Sequence, residues 1–144
     1  MDPQPIPSPS NNWRGTGTIL VVDDEESVRT IVARMLELFG FSVLVAKDGQ
    51  QGVETFRTNK NAIAAVILDL TMPCLNGEEA FREMRAIRSD ARVLLMSGYN
   101  EQDAIDRFAE KGLAGFLQKP FTPADLRDKL RAILDALASE KKMS

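Results

Sequence analysis

The 144-residue chain predicts one α/β domain, a doubly wound parallel sheet made of five strand–helix units. Apolar runs of strand length alternate with segments whose apolar residues recur at helical spacing. The runs are near-continuous, as in strands covered on both faces, where a one-sided sheet would show alternation. Four of the five stop abruptly at polar residues: Asp23-Asp24, Asp69, Ser97 and Gln118-Lys119-Pro120. In open α/β sheets, ligands bind beyond the carboxyl ends of the strands. Three acids, a hydroxyl and an amine therefore converge on one sheet edge, a set suited to metal and phosphoryl chemistry.

The first unit pairs a strand at Thr18–Val22 with a helix on which Val28, Ile31, Val32, Met35, Leu36 and Phe39 recur, closed by Gly40. A second strand spans Phe41–Ala46, and Asp48-Gly49 opens a short helix with Val53 and Phe56 on its apolar side. The third strand, Ala64–Leu68, ends at Asp69 and meets the turn Thr71-Met-Pro-Cys-Leu-Asn-Gly77, where Asn76 can cap a helix carrying Phe81, Met84 and Ile87. After the fourth strand, Val93–Met96, Asn100 precedes a helix with Ile105 and Phe108 that Gly112 ends. The fifth strand, Leu113–Leu117, leads to Thr122-Pro123, with proline in the first turn and Asp125 three residues after the cap. Leu126, Leu130, Ile133, Leu134 and Leu137 form the buried stripe of that last helix. Alternating units of this kind put helices on both sheet faces.

The ends read differently. Residues 1–17 hold four of the seven prolines, a composition that cannot bury enough surface to order itself, so a flexible linker or tail is expected there. The domain is expected over 18–138, with a frayed polar tail over 139–144. A net charge of −3 gives no electrostatic case for nucleic acid or an anionic membrane surface. The longest apolar run, Ala62–Leu68, is seven residues, against roughly 20 for a bilayer span. The single cysteine, Cys74, precludes an internal disulfide and fits a reducing cytoplasm. No partner base accompanies it, so it reads as a small hydrophobe and not a nucleophile. The absence of histidine excludes Ser-His catalysis, His-ligated zinc and a phosphohistidine on this chain.

Four pieces in order, Ile19-Leu-Val-Val-Asp23-Asp24-Glu25, Asp69-x-x-Met72-Pro73-x-x-x-Gly77, Ser97-Gly98 and Lys119-Pro120-Phe121, make the chain resemble a receiver domain of two-component signalling over residues 18 to 137. The resemblance implies a flavodoxin-like fold with strand order 2-1-3-4-5. It implies Asp69 as the phospho-acceptor, phosphorylated by a histidine kinase or a histidine phosphotransfer domain. It further implies Mg²⁺, with Mn²⁺ able to substitute, bound directly by Asp24, Asp69 and the carbonyl of Thr71, and through water by Asp23. A hard cation of this kind relieves the mutual repulsion of three carboxylates. A capping role for Asp24 at a helix starting at Glu25 is compatible with metal binding. Lys119 is implied to meet the phosphoryl oxygens, and Ser97 to bond to them once they arrive. Phe116 stands at the switch-aromatic position, beside the alternative that it is a plain core aromatic. The output surface is then formed by the fourth helix, fifth strand and fifth helix. The chain is expected to be cytoplasmic, a monomer or weak dimer, with no catalysis beyond its own phosphorylation and dephosphorylation. Trp13-Arg-Gly-Thr-Gly17 and Met96-Ser-Gly-Tyr99 are similar to the C-terminal receivers of hybrid sensor kinases.

Two other readings share part of this pattern. A haloacid-dehalogenase-type phosphatase also uses a strand-end aspartate and Mg²⁺, but wants an acid where Thr71 stands and a cap insertion. A nucleotide- or flavin-binding module wants a glycine-rich phosphate loop after the first strand, where Asp23-Asp24-Glu25-Glu26 would repel phosphate.

Thr71 and Tyr99 occupy the positions expected to tune the lifetime of an acyl phosphate. Hydrolysis needs a water in line with phosphorus, and neither residue supplies a carboxylate or amide to orient one. Slow self-dephosphorylation is expected, with Tyr99→Ala or Thr71→Asn accelerating it. Decay of the phosphorylated protein after donor removal measures this, and unchanged decay in both variants would show that another step controls the lifetime.

Overall fold

Five parallel strands lie in the order β2-β1-β3-β4-β5, with β1 at Thr18–Val22, β2 at Ser42–Ala46, β3 at Ile63–Asp69, β4 at Val93–Ser97 and β5 at Gly115–Gln118. The computed structural model describes residues 17–70, 77–97, 114–119 and 121–143. Its helices are α1 at Glu26–Leu38, α2 at Gly49–Thr58, α3 at Gly77–Ile87, and a C-terminal helix at Pro123–Met143. The helix expected after Asn100 lies outside the described residues, as do the capping of α3 by Asn76 and residues 1–16 of the expected N-terminal linker. The C-terminal helix continues past position 138, where the sequence reading placed the end of the domain.

The sheet is buried in the way continuous apolar strands dictate. Ile19, Leu20, Val21 and Val22 of β1 are all fully buried, alternate residues feeding opposite faces. On one face Leu20, Val22, Val66, Leu68, Val93 and Leu95 meet Val53 and Phe56 of α2 and Phe81 and Met84 of α3. On the other, Ile19, Val21, Ile67, Leu94 and Met96 meet Val32 and Leu36 of α1 and Leu126, Leu130 and Ile133 of the C-terminal helix. Ile31, grouped with the apolar face of α1 by spacing, is instead 54% exposed. It lies about 100° round the helix from Val32, off the side that meets the sheet.

Helix ends follow local chemistry. Gly40 has φ +105, a conformation that favours glycine. Its N–H donates to the Glu37 carbonyl while that of Phe41 donates to Leu36, both bonds of a Schellman motif. Phe41 is thereby taken into the end of α1, which is why β2 starts at Ser42 and not at Phe41 as the sequence suggests. The Asp48 carboxylate accepts from the N–H of Gln51 at 2.8 Å, and Gln51 Oε1 accepts from the N–H of Lys47 at 2.7 Å. Thr122 and Asp125 form the expected reciprocal box, Asp125 N–H donating to Thr122 Oγ1 and Thr122 N–H to Asp125 Oδ2. At the opposite edge from the acids, Arg88 donates from Nη1 to the carbonyls of Lys60 and Ile63, and pairs with Asp90. It ties the start of β3 to the connection into β4.

Gly52 sets how closely α2 approaches the strand that carries the acids. A Cβ there would lie 2.9 Å from a Val22 methyl. Alanine favours a helix interior by up to about 1 kcal/mol over glycine, but Val22 is fully buried and stiff at χ1. Overpacking of this sort costs about 1–3 kcal/mol. Gly52→Ala is therefore expected to lower stability by about 1 kcal/mol net despite the helical gain, read as a lower urea midpoint with an unchanged slope.

Candidate functional site

Strand register brings the acids together. Val22 of β1 pairs with Leu68 of β3, so the next residue of each strand, Asp23 and Asp69, emerges at the same edge. Asp69 remains within β3 and pairs with Met96, one residue beyond the expected strand end. Ser97 likewise closes β4 in register with Gln118, which precedes Lys119. Asp23 is fully buried and Asp69 is 3% exposed, the buried charged residues of the described core. Asp24, next along the chain, is exposed.

Carboxylate oxygens of Asp23, Asp24 and Asp69 all lie within 4.8 Å of one another. Lys119 reaches into this group from the end of β5. Its Nζ donates to Asp23 Oδ2 at 3.1 Å and lies 3.6 Å from Asp69 Oδ1. Burial works against the charge of Lys119, but the facing carboxylates of Asp69 and Asp23 outweigh it and hold the ammonium protonated above the ordinary lysine range. One ammonium against three carboxylates leaves an excess of negative charge. The donor set is all oxygen and two of its members are withdrawn from water, which fits a hard divalent cation.

Asp23 is held at every polar atom. Its N–H donates to the Ala46 carbonyl, continuing the ladder one step past β1. Oδ1 accepts from the N–H of Glu25 at 2.8 Å, Oδ2 accepts from Lys119, and the main-chain carbonyl accepts from Arg29 Nη1 at 2.8 Å. The capping role left open for Asp24 is not taken up by its side chain. The cap is Glu25, whose side chain makes no capping bond, and the carboxylate that satisfies the turn belongs to Asp23. Asp24 is left free for other ligands, with no hydrogen-bond or ion-pair partner among the described residues. Arg29 was not singled out from the sequence. A basic residue one turn into the helix after an Asp-Asp pair is the signal that marks it.

Phe116, in β5 beside Leu95, is half-buried and packs on the side of the sheet that holds α2 and α3. Thr71, Cys74 and Tyr99 lie outside the described residues. So does Pro120. Among the described residues no helix is long and apolar enough to cross a membrane.

Comparison with known proteins converges on one family. The model of the response regulator receiver domain matches residues 19–131. A probable transcriptional regulator ycf27 from Porphyridium aerugineum is 34% identical over 81% of this chain and 47% of its own length. Among solved structures, a response regulator receiver domain protein from Clostridium thermocellum is 32% identical, with a TM-score of 0.80 over 89% of this chain and 99% of its own. The receiver domain of the hybrid histidine kinase CckA is 31% identical, with a TM-score of 0.69 over 82% of this chain and 99% of its own. The chain spans about half the length of the curated relatives it matches. The match gives no support to the phosphatase alternative. With a flavodoxin-like sheet in order 2-1-3-4-5 and an acid cluster at its carboxyl edge, the chain belongs to the response regulator receiver domains of two-component systems.

Proposed function

We propose that Asp69 is the phospho-acceptor, taking a phosphoryl group from the phosphohistidine of a histidine kinase or a histidine phosphotransfer domain. The observation that carries this reading is the position of Asp69: at a strand end, nearly buried, 3.6 Å from an ammonium and inside a triad of acids. A carboxylate oxygen attacks phosphorus, the donor nitrogen leaves, and an acyl phosphate remains. Lys119, with its Nζ 3.6 Å from Asp69 Oδ1 and its ammonium held protonated, meets the incoming phosphoryl oxygens in this reading. As a compact point charge it can shift between Asp23 and a phosphoryl oxygen without breaking a rigid fork. Ser97, ending β4, is the hydroxyl that bonds to the phosphoryl group.

The three acids fit Mg²⁺, with Mn²⁺ able to substitute. When bound, the ion offsets the charge of the acids and of the transferring phosphoryl group. Asp24 and Asp69, with the Thr71 carbonyl, are the direct ligands in this reading. Both oxygens of Asp23 already have partners, which supports its acting through water. Phe116 is the switch aromatic, and the surface around β5 and the C-terminal helix reads the state of Asp69. Thr71 and Tyr99 tune its lifetime. The domain works on itself alone, in the cytoplasm, as a monomer or weak dimer, without binding nucleic acid or membrane. Likeness to a hybrid-kinase receiver and to regulators of transcription is compatible with the domain acting within a hybrid kinase or as part of a separate response regulator.

Incubation with acetyl phosphate or phosphoramidate and MgCl₂ is expected to add one phosphoryl mass, mapped to Asp69 and lost with EDTA present during the reaction. Lys119→Met is expected to slow this step by about 10²-fold or more, the scale of losing one preorganised charge at a developing anion. An adduct on another residue, or one formed equally well in EDTA, would end the reading.

Asp69→Asn removes one of three mutually repelling acids and leaves Lys119 its shorter bond to Asp23. In metal-free buffer its melting temperature is expected to equal or exceed that of wild type, while the rise on adding MgCl₂ shrinks. A clear drop without metal, seen by calorimetry, would show that the Asp69 charge is needed by the fold itself.

A further inference from the structure

We propose that Arg29 is a positioning residue for the acidic site, holding the turn between β1 and α1 in the shape that points Asp24 at Asp69. Its Nη1 donates to the main-chain carbonyl of Asp23 at 2.8 Å, from a side chain that starts one turn into α1. Asp23 is fully buried, so its carbonyl requires a partner from the protein. Arg29 supplies that partner as a charge-assisted bond.

The consequence falls on Asp24 more than on Asp23. Asp23 keeps three further anchors, through Ala46, Glu25 and Lys119. Asp24 has no side-chain partner among the described residues. Its placement is set by the backbone on either side. On one side stands the Asp23 carbonyl, on the other the peptide N–H of Glu25, which is bonded to Asp23 Oδ1. Releasing the carbonyl loosens the peptide that joins Asp23 to Asp24. The three carboxylates then lose the arrangement in which their oxygens lie within 4.8 Å.

Charge and positioning make opposite forecasts, and this separates them. Arg29 is a cation close to a site that would bind another cation. On charge alone, removing it would tighten divalent binding. On positioning, removing it weakens binding, since loss of an outer partner of a metal ligand costs about tenfold or more in affinity. The inference rests on reading the three acids as a divalent-cation site.

The experiment is a MgCl₂ titration of ¹⁵N-labelled protein, following the amides of Asp24, Glu25 and Glu26, on wild type, Arg29→Met and Arg29→Lys. The expected result is about tenfold weaker binding for Arg29→Met and partial recovery for Arg29→Lys, which keeps a donor of nearly the same reach. In metal-free protein the Glu25 amide of Arg29→Met is expected to move upfield as its bond to Asp23 lengthens. Should Arg29→Met not fold, Arg29→Gln, polar but two bonds shorter than arginine, decides the same question. Binding in the Met or Gln variant as tight as wild type, or tighter, would overturn the inference. A wild-type protein with no saturable response to MgCl₂ would instead overturn the metal reading of the site, and leave the hydrogen bond of Arg29 a purely structural one.

Discussion

Asp23 and Asp69 stand at the ends of adjacent strands, both withdrawn from water, and the register of β1 against β3 keeps them side by side. Their repulsion is the constraint around which this end of the molecule is arranged. Two buried like charges would ordinarily shed one by taking up a proton. Lys119 offsets the repulsion by entering from β5 and reaching both, its own ammonium held protonated by them. Such a pairing gives little net stability, since removing three charges from water offsets much of the attraction. Its value is in specificity. A lysine three strands away from Asp23 can reach it only if β3, β4 and β5 are all in register.

The remainder of the fold supports that edge. The sheet interior is apolar on both faces, so strands cannot slip by one residue without exchanging their two faces, although both faces are covered. Gly52 lets α2 lie against Val22, the residue just before the acids. Gly115 does the same on the other face, where a Cβ would sit 3.1 Å from Leu94 and 3.5 Å from Ile133 of the C-terminal helix. Arg88 pins the far edge through two carbonyls. Among the described residues the buried carboxylates, Asp23 and Asp69, stand at the acid edge, and the layers on either side are packed closely enough to hold them there.

Much of this was legible from residue order. Continuous apolar runs read correctly as strands because the central ones are covered on both faces, and the stop at each polar residue marked the carboxyl edge. Glycine and the Thr122–Asp125 pair marked helix ends, because those motifs are completed within a few residues of chain. What was not legible depended on partners remote in sequence or on three-dimensional direction. Ile31 fits the helical stripe but misses the sheet, since the spacing fixes a side of the helix to within about a turn angle, not its aim. A strand end also moved by a residue where a helix end competed for it, as when Phe41 closed α1 in place of opening β2. The turn into the first helix is satisfied by Asp23, where a capping role had been left open for Asp24. Both residues are equally suited by type, and only the bond from Glu25 N–H to Asp23 distinguishes them.

The two ends of the site differ in how firmly they are held, and on the reading proposed here that difference has a direction. Asp23 has all four polar atoms engaged and directly follows a strand buried from Ile19 to Val22. Lys119 follows β5, a four-residue edge strand in which Leu117 is buried while Gly115 and Phe116 are half-buried. Local stability falls with the density of buried contacts, and edges and short strands lie toward the low end. A phosphoryl group on Asp69 adds charge next to both. The β1 side, fixed by its hydrogen bonds, has little freedom to respond. The β5 side can respond through the flexible stem of Lys119 and the half-buried ring of Phe116, three residues before it. Strain entering at Asp69 is therefore relieved toward β5 and the C-terminal helix, and the asymmetry of anchoring already present in the unphosphorylated domain sets which face carries the signal.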